Sequence, residues 1–180
     1  MGLSMKGQDV LVLLKLAARG SRDWNYAGLA NELEMSASEV HASLKRSLSS
    51  GLYNPDSRRE NRAALLEFLT HGVRYVFPAL PGPIRVGLPT SYAAEPLRKR
   101  IQFDPQEAPV MPLLDGPCRG PEIAPLYPSA PKAAQKDERL HRLLALVDAL
   151  RSGRARERKI ATELLNRELE ASDSHEPISR

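Results

Sequence analysis

Tyr26-Ala-Gly-Leu-Ala-Asn-Glu-Leu-Glu-Met-Ser-Ala-Ser-Glu-Val-His-Ala-Ser-Leu-Lys-Arg-Ser-Leu48 decides how this chain is read. Asn25 precedes it as a helix N-cap, and Leu29, Ala30 and Leu33 recur on one helical face. Met35 and Ser36 leave room for a tight turn only. Ser36 then opens a second helix, because Glu39 three residues on completes a capping box. At about 100° per residue, Ala37, Val40, Leu44 and Leu48 fall on one side of that helix. Ser38, Ala42, Lys45, Arg46 and Ser49 fall roughly opposite, with His41 on a flank. Gly51 ends it.

Upstream, Val10, Leu13, Leu14 and Ala17 follow helical spacing, so a helix runs from about Gly7 to Arg19, closed by Gly20. Downstream, Ala64, Leu65, Phe68 and Leu69 predict a helix from about Glu60 to His71, ended by Gly72. The period then changes. Val73 to Phe77 is β-branched and aromatic, Pro81-Gly82-Pro83 signals a turn, and Ile84 to Leu88 alternates. This pattern predicts a β-hairpin.

Proline divides the rest. Of 15 prolines, 13 fall between Pro78 and Pro131, a density that no helix interior absorbs. Residues 103–134 therefore read as a proline-rich connector, with Val110 to Leu114 and Leu126-Tyr127 as pieces that pack on something. Residues 135–180 read as a helical pair. Leu140, Leu143, Leu144, Val147 and Leu150 form one stripe, and Ile160, Ala161, Leu164, Leu165 and Leu169 form the other. Two such helices cannot bury both stripes alone, so they pack on residues 1–102 or on another subunit. The tail from Ala171 is polar. The fold class is thus mostly α with a small β-hairpin: an N-terminal unit of helices and hairpin over 1–102, a proline-rich connector over 103–134, and a C-terminal helical pair over 135–180.

The Tyr26–Leu48 stretch resembles the helix-turn-helix of bacterial transcription regulators. Together with His71-Gly-Val-Arg-Tyr-Val-Phe-Pro78, Gly87-Leu-Pro-Thr90 and Gly153-Arg-Ala-Arg-Glu-Arg158, it looks like small bacterial proteins with an N-terminal winged helix-turn-helix of the MarR-like kind. One departure is the whole helix lying between the second helix of the motif and the expected hairpin. The resemblance implies a repressor of its own operon. Such proteins often stand beside nucleotidyltransferase-type toxins in abortive-infection or toxin–antitoxin operons, so it also implies contact with a toxin-type protein.

On this reading the partner is double-stranded DNA. Ser36, Ser38, His41, Ala42, Lys45 and Arg46 would meet bases or phosphates from the second helix. Arg58, Arg59, Arg74 and Arg85 would meet phosphates from the loop and hairpin. A single motif of this kind makes few contacts, so a homodimer is expected, with Leu140, Leu143, Leu144, Val147, Leu150, Leu164 and Leu165 as the dimer or partner element. The alternative is a protein-interaction module, an antitoxin or assembly factor, that wraps a partner with its proline-rich middle.

Charge agrees with a polyanion partner. The formal net charge is +4, and residues 61–102 alone carry net +4. Arg98-Lys99-Arg100 and the stretch Arg151 to Lys159 are the two dense basic clusters. No apolar run approaches the ~20 residues of a membrane span. Val10 to Leu16 is too short for a leader and is broken by Lys15. Cys118 is the single cysteine, which excludes an internal disulfide and makes the cytoplasm the expected location. His41, His71, His141 and His175 stand apart from any metal or catalytic spacing, and no phosphate-cradling glycine loop is present. No cofactor, no metal and no enzymatic activity are expected.

Overall fold

In the computed structural model, residues 4–20 and 22–171 are described. The polar tail beyond Ala171, with His175, lies outside the described residues. The order is α1 (Gly7–Arg19), α2 (Tyr26–Leu33), α3 (Ala37–Ser49), β1 (Tyr53–Asn54), β2 (Arg59–Glu60), α4 (Arg62–His71), α5 (Val73–Val76), β3 (Ile84–Pro89), β4 (Val110–Pro112), β5 (Cys118–Pro121), α6 (Ala130–Lys136), α7 (Glu138–Ser152) and α8 (Ala155–Ala171). The fold is mostly helical with small antiparallel sheets. No described helix is long and apolar enough to cross a membrane.

Two helices form the interior. α1 is buried without a break from Gln8 to Ala18, and α7 from Leu143 to Arg151. A helix apolar on all sides must be covered on all sides. α1 packs on α3, on β2 and on α7, while α7 also packs on α5, α6 and α8. One apolar cluster runs through these helices from Val10 to Leu169. The chain therefore does not separate at 102/103 or at 134/135.

Short polar side chains set the helix starts. Asn25 Oδ1 accepts from Gly28 N at 2.7 Å. Ser36 Oγ accepts from Glu39 N at 3.2 Å, and Glu39 Oε2 accepts from Ser36 N at 2.8 Å, so the capping box is complete. Asn61, one residue beyond the expected start, caps α4.

The expected hairpin is corrected. Val73 to Val76 is a helical turn, not a strand. Val73 is fully buried and α5 packs on α7, so packing overrides β propensity there. β3 is real but pairs elsewhere. It is the centre of a three-stranded antiparallel sheet, order β4-β3-β5, with Gly87 opposite Pro112 and Val86 opposite Arg119. Both partners come from the proline-rich middle, and as edge strands they tolerate Pro112 and Pro121. Residues 103–134 are thus part of the fold rather than a connector: Val110, Met111, Leu113, Ile123, Ala130, Ala133 and Ala134 are buried. Leu114 is not; it is fully exposed.

The expected dimer stripe is also corrected. Leu140, Leu143, Leu144, Val147 and Leu150 are 0–2% exposed within one chain, and Leu165 is fully buried. Leu164 is half-buried against the same cluster. All but the half-buried Leu164 lie inside the monomer's core and present no surface to a second copy. Polar ties fix α7 further. Asp148 accepts from Thr90 Oγ1 at 2.6 Å and from Arg151 Nη1 at 2.7 Å, and Arg151 Nε donates to Phe77 O at 2.8 Å. Burial pushes the Asp148 carboxyl above its ordinary value, against the pull of Arg151 and Thr90.

Candidate nucleic-acid interface

α3 is held by its inward stripe, which is Val40, Ser43, Leu44 and Ser47 rather than the expected Val40, Leu44 and Leu48. The serines are small, and Ser43 Oγ donates to Asp9 Oδ1 of α1 at 2.8 Å. Rotating the stripe toward Ser43 and Ser47 turns Leu48 outward, where it is 47% exposed. The face left free carries Ser38, His41 and Lys45, with Ala42 half-buried among them and Ser36 exposed at its start.

Arg46 is the main correction on this helix. It is 8% exposed and points inward, donating from Nε and Nη2 to the Asp9 carboxylate and from Nη2 to Gln8 Oε1 at 2.9 Å. With Nε and Nη2 engaged and the side chain turned inward, this guanidinium is committed to the interior rather than to a base edge. Asp9 at the head of an apolar run was the available signal, since a buried carboxylate needs a cation.

The start of α3 is likewise occupied. Tyr127 Oη donates to Glu39 Oε1 at 2.6 Å, and Ser36 Oγ donates to Glu39 Oε2 at 2.8 Å. The Tyr127 hydroxyl first, and then the Ser36 backbone and hydroxyl, hold the Glu39 carboxyl down at about 2. An ionised carboxylate at this helix terminus takes the place that a backbone phosphate would otherwise take. Tyr127 gets there because its chain lies hard against α1. A Cβ at Gly7 would sit 2.1 Å from Leu126 O.

Directly after α3, β1 and β2 pair antiparallel with Tyr53 opposite Glu60. Asn54 Oδ1 accepts from Asp56 N at 2.9 Å and shapes the turn. Arg58 closes this hairpin in the left-handed region, φ 55°. Its guanidinium lies 4.3 Å from the Trp24 ring centroid. Arg58 Nη2 donates to Trp24 O, and Trp24 Nε1 donates to Arg58 O, both at 3.0 Å. Trp24 meets Tyr26 edge-on at 5.3 Å, and Tyr26 meets His41 at 5.6 Å. A continuous strip of Arg58, Trp24, Tyr26 and His41 therefore joins the hairpin to the free face of α3. The sequence reading missed Trp24 and Tyr26, although Trp24 is the single tryptophan of the chain.

The other expected arginines are elsewhere. Arg59 is half-buried beside Glu60 at 3.6 Å. Arg74 is on α5, over the Tyr75 ring at 5.0 Å, and Arg85 is on β3, paired with Glu122 at 3.3 Å. Neither belongs to the hairpin that follows α3. Among the described residues no group of three or more His, Cys, Asp or Glu side chains could hold a metal ion. Burial pushes the Cys118 thiol up, away from a reactive thiolate. Comparison with protein-family models, with curated proteins and with solved structures finds no match for this chain.

Proposed function

We propose that this chain is a sequence-specific duplex-DNA-binding transcription regulator with a winged helix-turn-helix. α2 and α3 are the motif, and the β1–β2 hairpin is a short wing in the position that directly follows the reading helix. The observation that carries this reading is the free face of α3, Ser38, His41, Ala42 and Lys45, joined through Tyr26 and Trp24 to the exposed Arg58. Ser38 and Ala42 are small enough for close approach to base edges. Lys45 supplies a donor to a guanine or a phosphate, and Arg58 a phosphate contact beside the groove. The regulator works in the cytoplasm as a homodimer and represses its own operon.

Since α7 is spent inside the monomer, the dimer contact on this reading falls to exposed apolar residues. Ile84 and Val86 share one face of β3, at 55% and 37% exposure. A second reading, a module that binds a toxin-type protein, is favoured by Tyr75, Leu80 and Leu114, which are 73%, 85% and 102% exposed.

The test is selection of bound duplexes from a random library, followed by a salt titration of the winner. A two-fold motif with half-sites about one helical turn apart supports the regulator, and the salt slope then counts phosphate contacts. Absence of enrichment overturns it in favour of the protein-binding reading.

A further inference from the structure

The two basic clusters of the sequence meet in space. Leu97 is fully buried and anchors a 3-10 turn, Leu97–Lys99, that packs on α8. The turn places Arg98, Lys99 and Arg100 beside Arg154 and Arg156 at the start of α8. Gly153 allows the sharp break from α7, since a Cβ there would sit 2.3 Å from Ala149 O. The result is a cleft of about 700 Å³ whose other lining residues are Ile101, Gln102 and Glu157. Its lining holds five cations and one carboxylate, so it concentrates as much net charge as the whole chain carries.

These cations are not neutralised by the fold. Among the described residues, no carboxylate pairs with the side chains of Arg98, Arg100, Arg154 or Arg156, and Lys99 has Glu95 at 3.6 Å. Glu157 Oε2 is taken up at the start of α8, where it accepts from Arg154 N at 2.8 Å. Like charges gathered into a concavity raise the local potential and repel one another until an anion enters. The cleft is of small-molecule size, within the ~300–1,000 Å³ of typical ligand sites. Its cations come from two elements that meet at one point, which suits a compact anion. A duplex backbone would call for charges strung along a ridge.

We propose that this cleft binds a polyphosphate group, the chain of linked phosphates shared by inorganic polyphosphate and nucleoside triphosphates. The guanidinium forks of Arg98, Arg100, Arg154 and Arg156 take the phosphate oxygens. The site shares no lining residue with the free face of α3 and does not depend on DNA binding.

The test is isothermal titration calorimetry on the full chain at physiological ionic strength, with inorganic tripolyphosphate and with ATP as separate arms. Tripolyphosphate binds once per chain. Arg100→Ala combined with Arg156→Ala weakens it by about tenfold or more. Both residues are exposed, so the fold survives, and a thermal melt checks this. Lys132→Ala, which removes an exposed cation of α6 outside the cleft, leaves binding unchanged. Equal affinity for ATP means that the phosphates alone are read; tighter binding of ATP means that the nucleoside is also held. Three results overturn the proposal. They are absence of saturable heat with tripolyphosphate, equal weakening by Lys132→Ala, and a single-stranded oligonucleotide that binds more tightly and is lost in the double variant.

Discussion

Arg46 of α3 grips Asp9 of α1 through three hydrogen bonds, Nε to Oδ2 at 2.9 Å, Nε to Oδ1 at 3.0 Å and Nη2 to Oδ1 at 2.6 Å. Asp9 is fully buried, and it also accepts from Lys6 N and Ser43 Oγ, each at 2.8 Å. The pair locks α3 onto the central helix α1. It separates two neighbouring cations by role: Arg46 holds α3 in place, and Lys45 is free to meet a ligand.

Arg46→Ala leaves the Asp9 charge buried without its partner. The expected loss of folding stability is about 3–5 kcal/mol, read by urea denaturation. Arg46→Lys recovers only part of it, because an ammonium cannot reproduce the fork. Under conditions where Arg46→Ala is still folded, its affinity for the selected duplex equals that of the parent. A variant of normal stability with reduced affinity would place Arg46 at the DNA instead.

Lys45→Ala has the opposite signature. Lys45 is exposed and its removal leaves the urea midpoint unchanged, while affinity for the selected duplex falls by about 1–3 kcal/mol if a base is read. Arg58→Ala weakens all duplexes alike and lowers the salt slope by about one. Fluorescence anisotropy across a salt series separates the two. Unchanged binding in both variants sinks the proposed reading face.

Local chemistry was legible and tertiary chemistry was not. Gly7–Arg19, the Asn25 cap and the Ser36–Glu39 capping box are short-range features, and each stands in the structure as read. The inward face of α3 misled because hydrophobicity ranks Leu48 above Ser43 and Ser47, whereas close approach to α1 selects small residues. Val73 to Phe77 misled because β propensity reports a pleated, half-buried surface, and Val73 instead packs on a helix. The proline-rich middle misled most. Its strands are two short edges that become visible only once β3 lies between them. At the candidate site, Ser38, His41, Ala42 and Lys45 were legible from helical geometry. The Trp24–Arg58 contact, 34 residues apart, was not.

The dimer contact makes a paired prediction. Ile84→Asp together with Val86→Asp adds charge to an exposed strand face and leaves thermal stability close to that of the parent. On the proposed homodimer, sedimentation velocity then finds a monomer where the parent sediments as a dimer. Leu144→Ala acts on the core instead and costs about 2–5 kcal/mol of stability, because it opens a cavity there. A double Asp variant that remains dimeric rules out the β3 face.

Glu39 makes stability depend on acid in a defined window. Its carboxyl sits at about 2 in the folded chain against an ordinary value of 4.5, so the folded state favours the ionised form. The sign follows from linkage: the contribution is complete above 4.5 and is lost as the pH falls toward about 2. The hydrogen bond from Tyr127 is the largest cause. Tyr127→Phe therefore raises the Glu39 value, lowers the melting temperature at neutral pH, and flattens the melting curve's dependence on pH within that window. Below pH ~2 parent and variant converge, as the proton comes to occupy Glu39 in both. Melting temperatures of the two proteins across an acid series provide the measurement. Parallel curves with a constant offset would mean that Tyr127 stabilises through packing alone and that Glu39 is not held down by its hydroxyl.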